Sequence, residues 1–541
     1  MRFLPVNLDV LLVELKDLDE TLALFDALTA EPIAGVEEIV PAARTLLIQF
    51  RPSTIERQAL VNRIAGQDLS QRREGEHRRV EIPVHYNGED LDEVATLLNI
   101  SRAEVIQRHT AHDYSVAFCG FAPGFAYLTG GAGFQVPRRQ TPRTRIPAGA
   151  VALAGDFSGV YPKASPGGWQ IIGVTPLQMW DLNRAEPALL RPGYKVRFTD
   201  AGPLPADGLP VPSAPARNDA TTGTYLEITS PGLHSVLQDM GRPGQTGQGV
   251  SRSGALDLGA LRSANRAVGN PSDMACVESV LGGLSFSCHG SAVIAITGAH
   301  TPVTITSASA SGLQWQASNY QPIELETGDR VSLGSPKAGL RSYLAIRGGF
   351  DVTPMLGSLS TDTLAQLGPE ALATGDRLGF TAPVNGTSVS LNEAPAFELP
   401  TTANIVTLDV VMGPRTDWFT ENAIQLLSSQ LWRVTSQSNR VGIRLAGDTP
   451  LERSNHQELP SEGTSVGAIQ VPASGQPVLF LADHPLTGGY PVIASVASHH
   501  LDLAGQIPVN AQIRFNPLGA FEEMQPSTEA SFSTADAKNN S

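Results

Sequence analysis

The sequence predicts a mainly β protein with a small α+β domain at its N-terminus, and three observations lead there. Glycine (52) and proline (40) are abundant in 541 residues, while charged residues make up only 17%. That balance belongs to turn-rich sheets rather than to a helical bundle. Short apolar runs recur between turn residues from Tyr114 to Phe198 and again from Thr224 onward, the spacing of barrels or sandwiches. The first 78 residues instead alternate strand and amphipathic-helix patterns.

In order, residues 3–14 read as a strand. Asp17–Leu28 reads as a helix with Asp17 as N-cap. Thr45–Phe50 reads as a second strand, and Ser53 opens a helix through Ile64. This β-α-β-α unit is expected to end near residue 78, where the charged run Gln71–Arg79 reads as a linker. Strand Val80–His85 follows, then two capping-box patterns, Asp90-x-x-Glu93 and Ser101-x-x-Glu104. The second puts His109 at a helix C-terminus, where the dipole favours a protonated imidazole. The strands YSVAF, AVALAG, QIIGV and YKVRF complete a unit spanning 79–200.

Residues 201–223 lack periodicity and are rich in Pro and Ala, the clearest linker. A first β module is expected over 224–395. It has one strong helix, Asp257–Val268, stopped by Gly269-Asn270. A weak internal linker covers 382–402, and a second β module is expected over 396–520, with a helix at Asp417–Ser428. Residues 521–541 read as a disordered tail. Each half carries a Gly-Gly-aromatic element, Gly167-Gly168-Trp169 and Gly488-Gly489-Tyr490.

Composition also excludes. The net charge of −15 and pI near 5.2 argue against nucleic acid or an anionic membrane as partner. No run of 18 apolar residues marks a membrane span. Three cysteines without a CxxC, and no secretory signal, point to the reducing cytoplasm. No GxxxxGK[ST] loop or GxGxxG is present, and no Met-Lys-Met tripeptide carries biotin. GTSVG (463–467) matches GxSxG only formally, with no strand readable before it and no helix after it. His109-x-x-His112 and the adjacent His499-His500 lack further ligands of the usual type nearby in sequence, so no metal site is expected.

The richest stretch is His109–Pro176. Arg138, Arg139, Arg143 and Arg145 fall within eight residues stiffened by Pro137, Pro142 and Pro147. Guanidinium forks on a rigid loop suit carboxylate or phosphate; solvated loop arginines are the bland alternative. Around them, Phe121, Tyr161, Ser165, Gly167, Gly168 and Trp169 are candidate binding residues. In the second half the polar set is Gln238, Asp239, Arg242, Asn265 and Glu278. Asn265 lies on the apolar face of its helix, where it either ties the helix to a loop or lines a pocket. Glu462, Gln470, Asp483, Thr487, Gly488 and Tyr490 surround the last strands. The expected catalytic groups are His109, Arg143, Glu462 and Asp483, with a carboxylate as general base.

GFAPGFAYL, PRRQTPRTRIPAGAVALAG and GVYPKASPGGWQIIG resemble the B-component family of bacterial ATP-dependent 5-oxoprolinase, also known as the sporulation-kinase-inhibitor or allophanate-hydrolase-subunit-1 family. VLQDMGRPGQTGQGVSRSGALDLGALRSANRAVGN, SEGTSVGAIQVP and TGGYPVIASV resemble the companion C-component family. Both resemble the carboxyltransferase domain of biotin-dependent urea carboxylase (subdomains C/D in 79–200, A/B in the second half). The resemblance implies cyclophilin-like β-barrels in both halves and an active cleft between them. It implies opening of the lactam of 5-oxo-L-proline to L-glutamate with ATP and Mg2+, no attached biotin, and the separate A-component of 5-oxoprolinase as partner. Homo-oligomerisation is left open. The alternatives are a carboxyltransferase component of a urea or amide carboxylase, and a regulatory inhibitor of a sensor histidine kinase. One departure stands out: His484-Pro485 precedes TGGY where the family more often shows an arginine or other polar pair.

Overall fold

The computed structural model describes residues 1–69, 78–131, 133–203, 223–309, 312–381 and 388–527. Most of the expected linker over 201–223, of the charged run Gln71–Arg79 and of the expected tail therefore lies outside the described residues.

The N-terminal unit is a four-stranded antiparallel sheet in the spatial order Arg2–Asn7, Val10–Glu14, Thr45–Phe50, Val36–Pro41. The run read as one strand is thus a hairpin. Asn7 turns it by accepting the Leu8 N–H on its side chain, and both arms are apolar throughout, which hides the turn from a periodicity reading. Near-continuous apolar strands mean a sheet covered on both faces. One face packs on helices Leu18–Ala30 and Arg57–Ala65 through Phe3, Leu11, Leu24, Ile48 and Leu60. The other, through Leu4, Leu12, Val40 and Leu47, packs on Leu486 far along the chain. Asp17 caps the first helix, accepting from Glu20 N at 3.0 Å. The second helix starts at Arg57 rather than Ser53; residues 52–54 form a turn first.

Residues 79–200 form a seven-stranded sheet that nearly closes on itself. Its order runs from Gln170–Val174 through Ala150–Ala154, Phe157–Val160, Ala126–Thr129, Asp113–Cys119 and Lys195–Asp200 to Arg79–Val84, with the ends bridged by His85 and Val174. Its last and first strands pair in parallel. Ser101 caps its helix as expected, with Glu104 N at 3.1 Å. Asp90 does not cap its helix, because its carboxylate is taken by Arg139, Arg143 and the N–H of Ile171.

The second half opens with a six-stranded and a five-stranded sheet packed face to face over residues 225–379. Helix Leu258–Val268 lies against the five-stranded sheet. Asp257 caps it, and Gly269 ends it at φ 76°, a conformation glycine adopts without strain. A closed seven-stranded barrel follows over residues 405–517, again sealed by a parallel pair, Ile405–Met412 with Gln512–Pro517. Its helix spans Glu421–Ser429, capped by Thr420, because Thr416–Trp418 turns as a 3-10 segment first. Residues 521–527, expected in a disordered tail, return to the N-terminal sheet: Met524 bridges Phe3 and Glu523 pairs with Arg2.

Candidate active site at the junction of the two halves

The first glycine of GFAPG is explained by contact between the halves. A Cβ on Gly120 would meet the Thr487 side chain at 2.5 Å, and Gly124 N donates to Gln248 O at 2.8 Å. Phe121, between them, sits at φ 64° and donates its N–H to Thr487 Oγ1 at 3.2 Å. A non-glycine residue held in the left-handed region is characteristic of functional sites.

This contact borders a cleft of about 730 Å3. The first barrel contributes Phe121–Pro123 and Lys163–Pro166. The second half contributes Ser251 and the Leu364–Gln366 loop, and the closed barrel adds Asn439, Arg444, Gln470, Phe480, His484 and Tyr490. Among the described residues no carboxylate lines it, although the chain carries 53 acidic residues. Its two full cations are Lys163 and Arg444. Lys163 Nζ donates to Leu364 O at 2.7 Å across the halves, and burial lowers its pKa, with the charge of Asp362 opposing. Neither cation forms an ion pair among the described residues. Tyr490 lies under the Arg453 guanidinium at 5.6 Å, and its carbonyl accepts from Gln470 Nε2. Such a cleft, apolar-walled and free of acids, attracts a small anion.

Of the residues read from sequence, Phe121, Ser165, Gln470 and Tyr490 line this cleft, and Thr487 fixes one of them. Gly488 pairs with Glu462 behind it. Tyr161 and Trp169 belong to an aromatic cluster with Phe125 and Tyr127 beneath the wall. Gly167 makes room for the Tyr161 hydroxyl and Gly168 O receives Arg139 N.

The four expected catalytic groups lie elsewhere. His109 is fully buried inside the first barrel, its two ring nitrogens taken by Tyr86 and Ser158 and its face by Phe198. Burial drives its pKa down to about 3, so the imidazole is neutral, not the protonated group expected at a helix end. Arg143 grips Asp90 with both terminal nitrogens and also reaches Glu89. Arg139 shares Asp90, and Arg138 pairs with Glu458. Three of the four loop arginines are thus spent on this chain's own carboxylates, and Arg145 is exposed. Glu462 is bound by Arg415, which also reaches Glu14 of the N-terminal sheet.

Asp483 is fully buried; its oxygens accept from Arg440, Ser253 and Thr363. Burial opposes its charge, but Arg440 and these hydrogen bonds outweigh burial and hold its pKa below the ordinary value. Arg440 also pairs with Glu278, whose other oxygen accepts from the Tyr343 hydroxyl. This ion chain fastens the sandwich to the barrel.

The remaining polar set is structural too. Asp239 holds Ser358, Leu359 and Ser360, Gln238 donates to Thr361 O, and Arg242 donates to Ser360 O. Asn265 ties its helix to Met274 O and Asn270. GTSVG enters a turn and then a strand, with no helix after it. His499 and His500 do gain a third polar neighbour, Asp409, from 90 residues away. Sequence reading passed over Arg444 and Asn439, which carry no motif of their own, and over Lys163, although it lies inside GVYPKASPGG.

The carboxyltransferase-domain class accounts for both halves: subdomains C and D match residues 1–190, and subdomains A and B match residues 248–517. Over 54% of this chain and 90% of its own length, the C-component of the 5-oxoprolinase of Escherichia coli K12 is 34% identical. The B-component of the Escherichia coli O157:H7 enzyme is 42% identical over 30% of this chain and 78% of its own. The urea amidolyase of Saccharomyces cerevisiae is 35% identical over 54% of this chain but only 17% of its own length. The crystal structure of TTHA0988 superposes on 94% of this chain and 99% of its own with a TM-score of 0.78 at 33% identity. The chain belongs to the family of 5-oxoprolinase B- and C-components, with the two joined in that order.

Proposed function

We propose that this chain supplies both the B- and the C-component of an ATP-dependent 5-oxoprolinase, opening the lactam of 5-oxo-L-proline to L-glutamate together with a separate A-component. The observation that carries this reading is the acid-free cleft, walled by both halves and bearing Lys163 and Arg444. The lactam substrate carries a carboxylate that those cations attract; urea, the substrate of the alternative reading, does not. Gln470, Asn439 and Ser165 offer donors and acceptors for an amide.

The cleft offers no carboxylate to hold the magnesium of a nucleotide. ATP therefore does not fit here by this chain's residues, and we place its binding on the partner protein. No helix of the described residues is long and apolar enough to cross a membrane, and all three cysteines are free, which suits a cytoplasmic enzyme.

The test is to mix the full chain with a candidate A-component, ATP and 5-oxoproline and to measure glutamate. Glutamate that depends on all four ingredients is expected. Its absence with a verified partner, or carboxylation of urea from a carboxybiotin donor, overturns the reading.

A further inference from the structure

The departure at His484-Pro485 has a structural counterpart that the cleft's binding groups do not use. His484 lines the junction cleft and also a second, smaller cavity of about 320 Å3 behind it, between the N-terminal sheet and the second half. Its Nδ1 lies 2.9 Å from Pro485 O and 3.2 Å from Thr464 Oγ1. A carbonyl oxygen only accepts, so Nδ1 carries the hydrogen; the Thr464 hydroxyl itself donates to the same carbonyl. The tautomer is thereby fixed, and Nε2 keeps a free lone pair. No hydrogen bond among the described residues reaches Nε2. Phe480 stacks on the ring at 6.0 Å between centroids, and Leu486, two residues on, is locked into the N-terminal sheet. The ring is therefore held in place.

From these contacts we infer that His484 is the general base of the cleft. The inference rests on the lactam-opening reading. Nε2 takes a proton from a water molecule as the water oxygen's electron pair forms a bond to the carbonyl carbon of the lactam, whose oxygen ATP on the partner protein has phosphorylated with release of ADP. The ring C–N bond then breaks, its electron pair goes to nitrogen and Nε2–H returns the proton there, leaving an acyl phosphate that a second water hydrolyses to the free carboxylate and phosphate.

The surrounding charges suit this role. Lys163 and Arg444 line the same cleft as the ring, and Asp483 beside it is turned to Arg440. Asp9, Glu38, Arg252, Arg262 and Asp502 line the cavity behind. Burial lowers the imidazole's pKa, with the Pro485 carbonyl and Asp483 opposing, so the ring is neutral and able to accept at neutral pH.

The test uses His484→Asn, whose amide still donates to the Pro485 carbonyl but offers no base at the Nε2 position. In the complete assay kcat is expected to fall at least 100-fold, on the order of a positioned general base. KM for 5-oxoproline should stay within about threefold, the acid limb of the pH profile should vanish, and added imidazole should restore part of the rate. An active wild type with an equally active variant and an unchanged pH profile overturns the inference while leaving the lactam reading intact. An inactive wild type sinks the lactam reading instead. His484 is still tested then by its long-range 1H–15N spectrum in the full chain: hydrogen on Nδ1 and a shift at Nε2 on adding 5-oxoproline are expected. Hydrogen on Nε2 overturns the assignment.

Discussion

The two seven-stranded barrels are built alike and use their histidines in opposite ways. Each contains one parallel pair between an early strand and the last. In the first barrel, His109 fills the interior with both nitrogens satisfied and aromatic rings on its faces. In the second, the interior is apolar around Trp432, and His484 sits on the outer wall with one nitrogen anchored. A histidine whose two nitrogens are both bonded is a packing residue; one with a single fixed bond is a poised base. The number of committed nitrogens, not the residue type or its place on a helix, separates the two.

The comparison breaks most visibly if the ion chain holding the second barrel is cut. Arg440→Met leaves Asp483 buried without its cation and Glu278 with only Arg341 at 3.6 Å, a loss of about 3–5 kcal/mol, read as a lowered midpoint in chemical denaturation. His109→Leu should cost about 1–3 kcal/mol, since the Tyr86 and Ser158 hydroxyls lose their partner, yet leave the activity of the folded enzyme within twofold.

The same residue gives a pH signature. The folded pKa of His109, about 3, lies below its ordinary value, so between the two the unfolded chain binds a proton that the folded chain does not. Its contribution to stability is complete above about pH 6.5 and is lost as pH falls toward 3. The Leu variant should show a flatter stability curve across that window in pH-dependent denaturation.

On the cleft side, Lys163→Met should raise KM for 5-oxoproline about tenfold, some 1.4 kcal/mol, with kcat moved less. The smallest effect concerns the arginine loop. Arg143→Ala should cost about 1 kcal/mol of stability and change kcat less than threefold, because Arg139 and the Ile171 N–H still hold Asp90. The tenfold loss of rate expected of an anion-binding arginine would restore that role.

Local chemistry was readable where the physics is local. Asp17 and Ser101 cap their helices, and Gly269 ends one. The Gly/Pro/aromatic stretch reaches the cleft wall, although Gly120 answers to Thr487 in the other half and Gly167 to the Tyr161 hydroxyl rather than to a ligand. What sequence concealed depends on partners hundreds of residues away. Nothing near Arg143 marks Asp90 as its taker, 53 residues earlier. Nothing near Asp483 marks Arg440, and Lys163 acquires meaning only from the Leu364 carbonyl. The apolar arms of the N-terminal hairpin hid their turn for the same reason, since their second face is covered by distant chain.

That doubly covered sheet sets how the enzyme behaves on dilution. The N-terminal unit grips Leu486, the Asn7 side chain donates to Val496 O, and Glu14 reaches Arg415. A pocket assembled from two freely diffusing proteins empties of its second wall below their dissociation constant. Here one covalent chain supplies both walls, and tethering of this kind keeps partners at an effective concentration of about a millimolar or more. Turnover per molecule should therefore lose its dependence on the meeting of these two components.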